Sequence, residues 1–134
     1  MAIRTACNRY RILVVEDEAL VSSYIAEVLV TLEFAVIGCA SSGPEAIGLA
    51  ERDLPDLALV DIHLSGPMDG IEVAHLLRER FDVPSIFLSG IRDDQTIERA
   101  RAAGPLGFLQ KPFLPSQVFD VIDRAFTDIL PLSR

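Results

Sequence analysis

Leu57-Ala58-Leu59-Val60-Asp61 is the stretch whose reading decides the fold. Four apolar residues follow one another without alternation, and a carboxylate ends the run. A strand with one wet face alternates apolar and polar residues. A strand that is apolar throughout has both faces covered, as in a parallel sheet packed between helices. Asp61 then stands where such a strand leaves the sheet. Three other strand-like runs also stop on a polar residue. Ile12-Leu13-Val14-Val15 stops on Glu16-Asp17, Ser85-Ile86-Phe87-Leu88 stops on Ser89, and Leu106-Gly107-Phe108-Leu109 stops on Gln110-Lys111. If these strands lie parallel, three acids, a hydroxyl and an ammonium gather at one end of a sheet.

Working outward from that run, strands and helices alternate. The first strand is expected at about residues 11–15, with Glu16-Asp17-Glu18 as the turn after it. Val21, Tyr24, Ile25, Val28, Leu29 and Leu32 recur at helical spacing and give the next segment one apolar face. Phe34 to Cys39 is apolar and β-branched enough to read as a second strand. Ser42-Gly43-Pro44-Glu45 opens a helix. Ser42 is its cap, Pro44 suits an early helical position and Glu45 completes a capping box. Ile47, Ala50 and Leu54 are its expected inner edge, and Pro55 stops it. After the Asp61 strand, a loop from His63 to Met68 leads to Asp69-Gly70 and a third helix. That helix is marked by Ile71, Ala74 and Leu77, with Val73 and Leu76 beside them.

Pro84 opens the fourth strand, and Asp93 or Asp94 is placed to cap the helix after it. That fourth helix has only Ile97, Ala100 and Ala103 to bury, and Gly104-Pro105 ends it. The fifth strand is expected to reach Lys111. Pro115 opens a last helix with a strong inner face of Val118, Val121, Ile122, Ala125, Phe126 and Ile129. Strand and helix alternate five times, which implies an α/β fold: an open parallel sheet with helices on both faces. In such sheets the site lies beyond the carboxyl ends of the strands, where strand order reverses.

Composition narrows the function. At 134 residues there is room for one domain with a core of its own. The net charge of −8 and the lack of any basic run argue against a nucleic-acid surface, so no DNA binding is expected of this chain. No apolar run approaches the roughly 20 residues of a membrane helix, and residues 1–9 lack the apolar core of a signal peptide. Cys7 and Cys39 form no metal or redox spacing, Cys39 reads as a small buried residue, and the expected compartment is the cytoplasm.

The strand-end cluster has a specific chemistry. Carboxylates pushed together repel unless a cation intervenes, and an all-oxygen site that keeps several waters suits Mg²⁺. Asp17 and Asp61 are assigned as direct ligands, with Glu16 direct or through water and the His63 backbone carbonyl as a further oxygen. Lys111 is the only lysine in a chain whose other basic residues are all arginine. A compact ammonium there can pair with a carboxylate or a phosphoryl oxygen. The Ser89 hydroxyl can bond a phosphoryl oxygen as well. Asp61 would be the nucleophile, with catalysis by positioning and charge neutralisation.

With these residues in place, the chain resembles the response-regulator receiver domains of two-component signalling. The matching pieces are Ile12 to Glu18, Leu59-Val60-Asp61, Met68-Asp69-Gly70, Leu88-Ser89-Gly90 and Leu109-Gln110-Lys111-Pro112-Phe113, in order from about Arg11 to Ile129. The resemblance implies a (βα)5 flavodoxin-like sheet in strand order 2-1-3-4-5. It makes residues 10–130 the receiver domain, between an N-terminal extension (1–9) and a tail (131–134). It implies that Asp61 takes a phosphoryl group from a histidine kinase or histidine phosphotransfer protein. Glu16, Asp17, Asp61 and the His63 carbonyl would hold Mg²⁺, and Ser89 and Lys111 would hold the phosphoryl oxygens. It also implies a cis Lys111–Pro112 bond. Ser89 and Phe108 would form the switch that signals to a face built from helix four, strand five and helix five. The phosphoryl chemistry is then self-catalysed, and no enzyme activity on other substrates is expected. A downstream protein target and a homodimer are among the expected assemblies. Few residues follow the last helix, so a stand-alone receiver, or the receiver part of a longer protein, is expected.

Three positions depart from the family pattern. Ser65 stands four residues after Asp61, where a proline is common. The loop to Asp69-Gly70 carries Gly66-Pro67 and reads as one residue longer. Ile91 is apolar where many receivers are polar, and is expected to shield the acyl phosphate from water. His63 is a candidate to face the phosphodonor. Other readings of such a sheet fare worse. A phosphatase using an aspartyl phosphate wants a second acid two residues after its nucleophile, but Ile62-His63 follow Asp61 and Glu18-Ala19 follow Asp17. A flavin or nucleotide module wants a glycine-rich first turn, where Glu16-Asp17-Glu18 would repel phosphate. A receiver that no longer takes phosphate is disfavoured because every chemical position is filled.

Overall fold

The computed structural model describes residues 10–90 and 94–129. Five strands, β1 (Arg11–Val15), β2 (Ala35–Ala40), β3 (Leu57–Asp61), β4 (Ser85–Ser89) and β5 (Gly107–Gln110), form one sheet in the order β2-β1-β3-β4-β5. Every neighbouring pair is parallel. Five helices connect and follow them: α1 (Ala19–Thr31), α2 (Gly43–Arg52), α3 (Gly70–Phe81), α4 (Asp94–Ala102) and α5 (Pro115–Arg124). A π-helical turn, Ala125–Ile129, continues α5. The flavodoxin-like order 2-1-3-4-5 is the one the resemblance implies.

The uniformly apolar strands have the physical cause inferred from them. Successive strand residues point to opposite faces. Leu13, Val15, Ala58, Val60 and Phe87 pack with α2, α3 and Ala100 of α4 on one face. Ile12, Val14, Leu57, Leu59, Ile86 and Leu88 pack with α1 and α5 on the other. Burying each such Leu, Ile or Phe contributes roughly 1.5–3 kcal/mol. Both faces of β1, β3 and β4 are therefore closed, and a polar residue fits only where a strand ends.

Several local expectations need correction. Leu54 is exposed rather than on the inner edge of α2, because that helix ends at Arg52 and the chain has turned toward β3. Ala46 takes the inner place instead. Ser42 does cap α2, accepting from the Glu45 amide at 3.3 Å. The Glu45 carboxylate, however, reaches Ser41, bonding its amide at 2.8 Å, so the box with Ser42 does not close. The full capping box belongs to α3, where Asp69 accepts from the Glu72 amide and Glu72 from the Asp69 amide. Cys39 is exposed, not buried, because β2 is an edge strand whose outer side is open. β2 begins and ends one residue later than expected, and β5 stops at Gln110. The cap proposed at Asp93, the role of Ile91, the N-terminal extension and the tail fall outside the described residues.

Candidate functional site

The carboxyl ends of β1, β3, β4 and β5 meet at one edge of the sheet, and backbone bonds carry the alignment one residue past the strands. The Glu16 amide donates to the Ala40 carbonyl at 2.9 Å, the Ile62 amide to Leu88 at 3.1 Å and the Lys111 amide to Ser89 at 2.7 Å. Glu16, Asp61 and Ser89 are thereby held at the edge with only 1%, 5% and 8% of their surface exposed. The chain then turns sharply behind Asp61. Gly70 opens α3 so close to β3 that a Cβ there would stand 1.9 Å from the Asp61 carbonyl oxygen. Only glycine fits this approach.

The side chains converge. One oxygen from each of Glu16, Asp17 and Asp61 lies within 4.8 Å of the others. The Lys111 ammonium is 2.9 Å from Glu16 Oε1 and 3.4 Å from Asp61 Oδ2. The His63 amide donates to Asp61 Oδ1 at 3.1 Å, and the Glu18 amide to Glu16 Oε2 at 3.1 Å. Asp17 has different partners: its Oδ2 accepts from the Ser65 amide at 3.0 Å and from the Ser65 hydroxyl at 2.6 Å. In the sequence Ser65 stands out only as a replacement for proline. A hydroxyl in the loop after Asp61 was the available signal, but its partner lies 48 residues away.

Electrostatics follow from burial and these contacts. Burial pushes the Glu16 carboxyl above its ordinary value, and the bonds from Lys111 and the Glu18 amide only partly offset it. The Ser65 hydroxyl, and after it the Ser65 amide, hold the Asp17 carboxyl below its ordinary value. Burial alone would lower Lys111, but its bond to Glu16 and the charge of Asp61 outweigh that and raise it. Three carboxylates face one ammonium, which leaves two negative charges uncompensated when all are ionised. The donor set is all oxygen, and the Lys111 ion pair is the contact seen at the buried Glu16 Oε1. These residues fit a small hard cation such as Mg²⁺.

The remaining expected residues are also placed. His63 is exposed beside the cluster. The Lys111–Pro112 peptide is cis. Phe108, half-buried on β5, packs against Phe87 with ring centroids 6.0 Å apart, and the Arg101 guanidinium lies 5.8 Å above its ring. Ser89 and Phe108 line one cavity of about 280 Å³ with Asp94, Ile97, Arg101 and Gln110. A larger cavity of about 550 Å³ opens on the other side of Lys111, between α1 and the segment after β5.

A family model, the response regulator receiver domain, matches residues 12–123. The chain belongs to this family. The receiver is 36% identical over 115 residues to the transcriptional regulatory protein PdtaR of Mycobacterium tuberculosis, covering 86% of this chain and 56% of that protein. It is 34% identical over 116 residues to the phyllosphere-induced regulator PhyR of Methylorubrum extorquens, covering 85% and 42%. Among solved structures, the signal receiver domain of a modulated diguanylate cyclase from Desulfovibrio desulfuricans aligns with a TM-score of 0.84 at 35% identity, covering 88% of this chain and 94% of that one. The receiver domain of NtrX from Brucella abortus aligns at 0.81 and 26% identity, covering 87% and 98%. The chain thus spans about half the length of the curated relatives it matches. This is a receiver domain of two-component response regulators, and its acidic cluster fits a phosphoacceptor site. Among the described residues, no helix is long and apolar enough to cross a membrane.

Proposed function

We propose that Asp61 is the phosphoacceptor and that a histidine kinase or histidine phosphotransfer protein is the donor. The observation that carries this is the position of Asp61 at the carboxyl end of β3, 3.4 Å from the Lys111 ammonium and among carboxylates that fit a cation. An Asp61 carboxylate oxygen attacks phosphorus in line. The phosphorus–nitrogen bond of the donor breaks, and the imidazole nitrogen leaves with the electron pair. Glu16, Asp17, Asp61 and the His63 carbonyl would hold Mg²⁺, which when bound neutralises charge on the phosphoryl oxygens. Lys111 and Ser89 take the remaining phosphoryl oxygens. The Ser89 hydroxyl moves toward the phosphoryl group and Phe108 turns into the cavity they share. The face of α4, β5 and α5 then changes for a downstream protein target, a second copy of the chain included. In this reading the chain works in the cytoplasm, binds no DNA itself and turns over no substrate beyond its own phosphoryl group.

The apolar cavity beside Lys111 supports a protein donor. Leu20, Val21, Tyr24, Pro112 and Phe113 line it, and Leu20 is 87% exposed. Apolar side chains held in water next to the reacting carboxylate suit a docking helix. Leu20→Asp is expected to slow transfer from a phosphorylated kinase at least about tenfold, the cost of burying an unpaired charge. It should leave labelling by a small acyl phosphate unchanged.

The reading itself is tested by intact mass after incubation with a small acyl phosphate and Mg²⁺, or with a phosphorylated histidine kinase where the small donor is refused. A gain of one phosphoryl group in the parent and none in Asp61→Asn is expected. No gain from either donor would overturn it.

A further inference from the structure

We infer that Ser65 is the residue that sets cation selectivity at the acidic cluster, by holding Asp17 as a one-oxygen ligand; this rests on the cation reading above. Asp17 is the acid that Lys111 does not touch: the ammonium contacts Glu16 and Asp61. Its Oδ2 is instead occupied twice, by the Ser65 amide at 3.0 Å and the Ser65 hydroxyl at 2.6 Å. Short bonds to an ionised oxygen are the strong kind. They fix the rotation of a half-buried carboxylate that would otherwise swing toward water, away from two like charges. Oδ1 is left as the oxygen that Ser65 does not occupy.

That arrangement discriminates between cations. Mg²⁺ takes a rigid octahedron of single oxygens and keeps several waters, so a one-oxygen carboxylate suits it. Ca²⁺ is larger, takes more ligands and often uses both oxygens of a carboxylate. A carboxylate with one oxygen already saturated cannot supply both. Ser65 also stands in the loop whose His63 amide bonds Asp61 Oδ1 at 3.1 Å. The same short loop therefore orients two of the three acids. Gly66, with φ of +104°, lets the chain turn immediately after Ser65. Ser65 is a positioning residue: it acts on the cation through Asp17.

Calorimetric titration of the full chain with MgCl₂ and with CaCl₂ tests this on the parent, Ser65→Ala, Ser65→Thr and Asp17→Asn. Ser65 is exposed, so these variants keep the core intact. The ratio of the Ca²⁺ to the Mg²⁺ dissociation constant should fall about tenfold in Ser65→Ala, the scale of one bond to a charged group. Threonine keeps the hydroxyl and should restore the ratio, while Asp17→Asn should abolish Mg²⁺ binding. An unchanged ratio in Ser65→Ala, or a changed one that Thr does not restore, overturns the role of Ser65 and leaves the cation site standing if Asp17→Asn has lost Mg²⁺. A parent that binds no Mg²⁺, or an Asp17→Asn chain that still binds it, overturns the cation reading and this inference with it.

Discussion

The two sides of the sheet's active edge are built differently. On the β1–β3 side the strands are closed on both faces, β3 is buried at every position, and α3 buries five residues against it. On the β5 side, β5 buries only Leu109 fully and α4 buries only Ala100. Asp61 and Glu16 come from the tight side. Lys111 and Phe108 come from the loose one. A phosphoryl group held between Asp61 and Lys111 would therefore tie a rigid region to one with little packing to resist movement, and the least tightly held elements are those that move in switching.

The most damaging way to break this contrast is at Gly70. Gly70→Ala should push β3 and α3 apart and cost at least about 3 kcal/mol, the upper range for overpacking, because the new Cβ meets backbone that cannot give way. Urea unfolding measures it. Next, equivalent truncations should weigh unequally. Leu77→Ala on α3 should cost about 3 kcal/mol, as deletions from a closed core do. Ile97→Ala on α4 should cost about 1 kcal/mol, because that side chain is only half-buried. Equal costs would remove the contrast.

A smaller effect concerns pH. Burial raises the Glu16 carboxyl in the folded chain, so its contribution is fully present below the ordinary glutamate value and is lost as pH rises through the raised one. In buffer without divalent cations, the parent should lose stability relative to Glu16→Gln as pH rises through that window. Parallel stability profiles for the two chains would contradict it. The smallest effect is at the contact between the regions. Arg99 of α4 pairs with the α3 cap Asp69 at 3.2 Å, on the surface. Arg99→Ala should cost less than about 0.5 kcal/mol in thermal unfolding, as exposed pairs do.

The contrast also explains what was legible in the sequence. The closed strands announce themselves as unbroken apolar runs, and their polar ends point to Glu16, Asp17, Asp61, Ser89 and Lys111, all of which meet at one edge. The sparse α4 was visible as a helix with little to bury. Other features depend on neighbours that local pattern does not reveal. Cys39 looks buried in its own run, and only strand order makes β2 an edge. Leu54 fits the helical period, yet the helix stops before it. Ser65 gives no sign of its partner, because Asp17 reaches it only after β1 and β3 have paired.

The most direct test of the central claim is to locate the phosphoryl group. Borohydride reduces an aspartyl phosphate to homoserine. The chain would be phosphorylated in Mg²⁺, reduced and mapped by peptide mass spectrometry. Homoserine at position 61, with Glu16, Asp17 and Asp69 unchanged, is the predicted result. Homoserine at another aspartate with Asp61 intact would contradict the account.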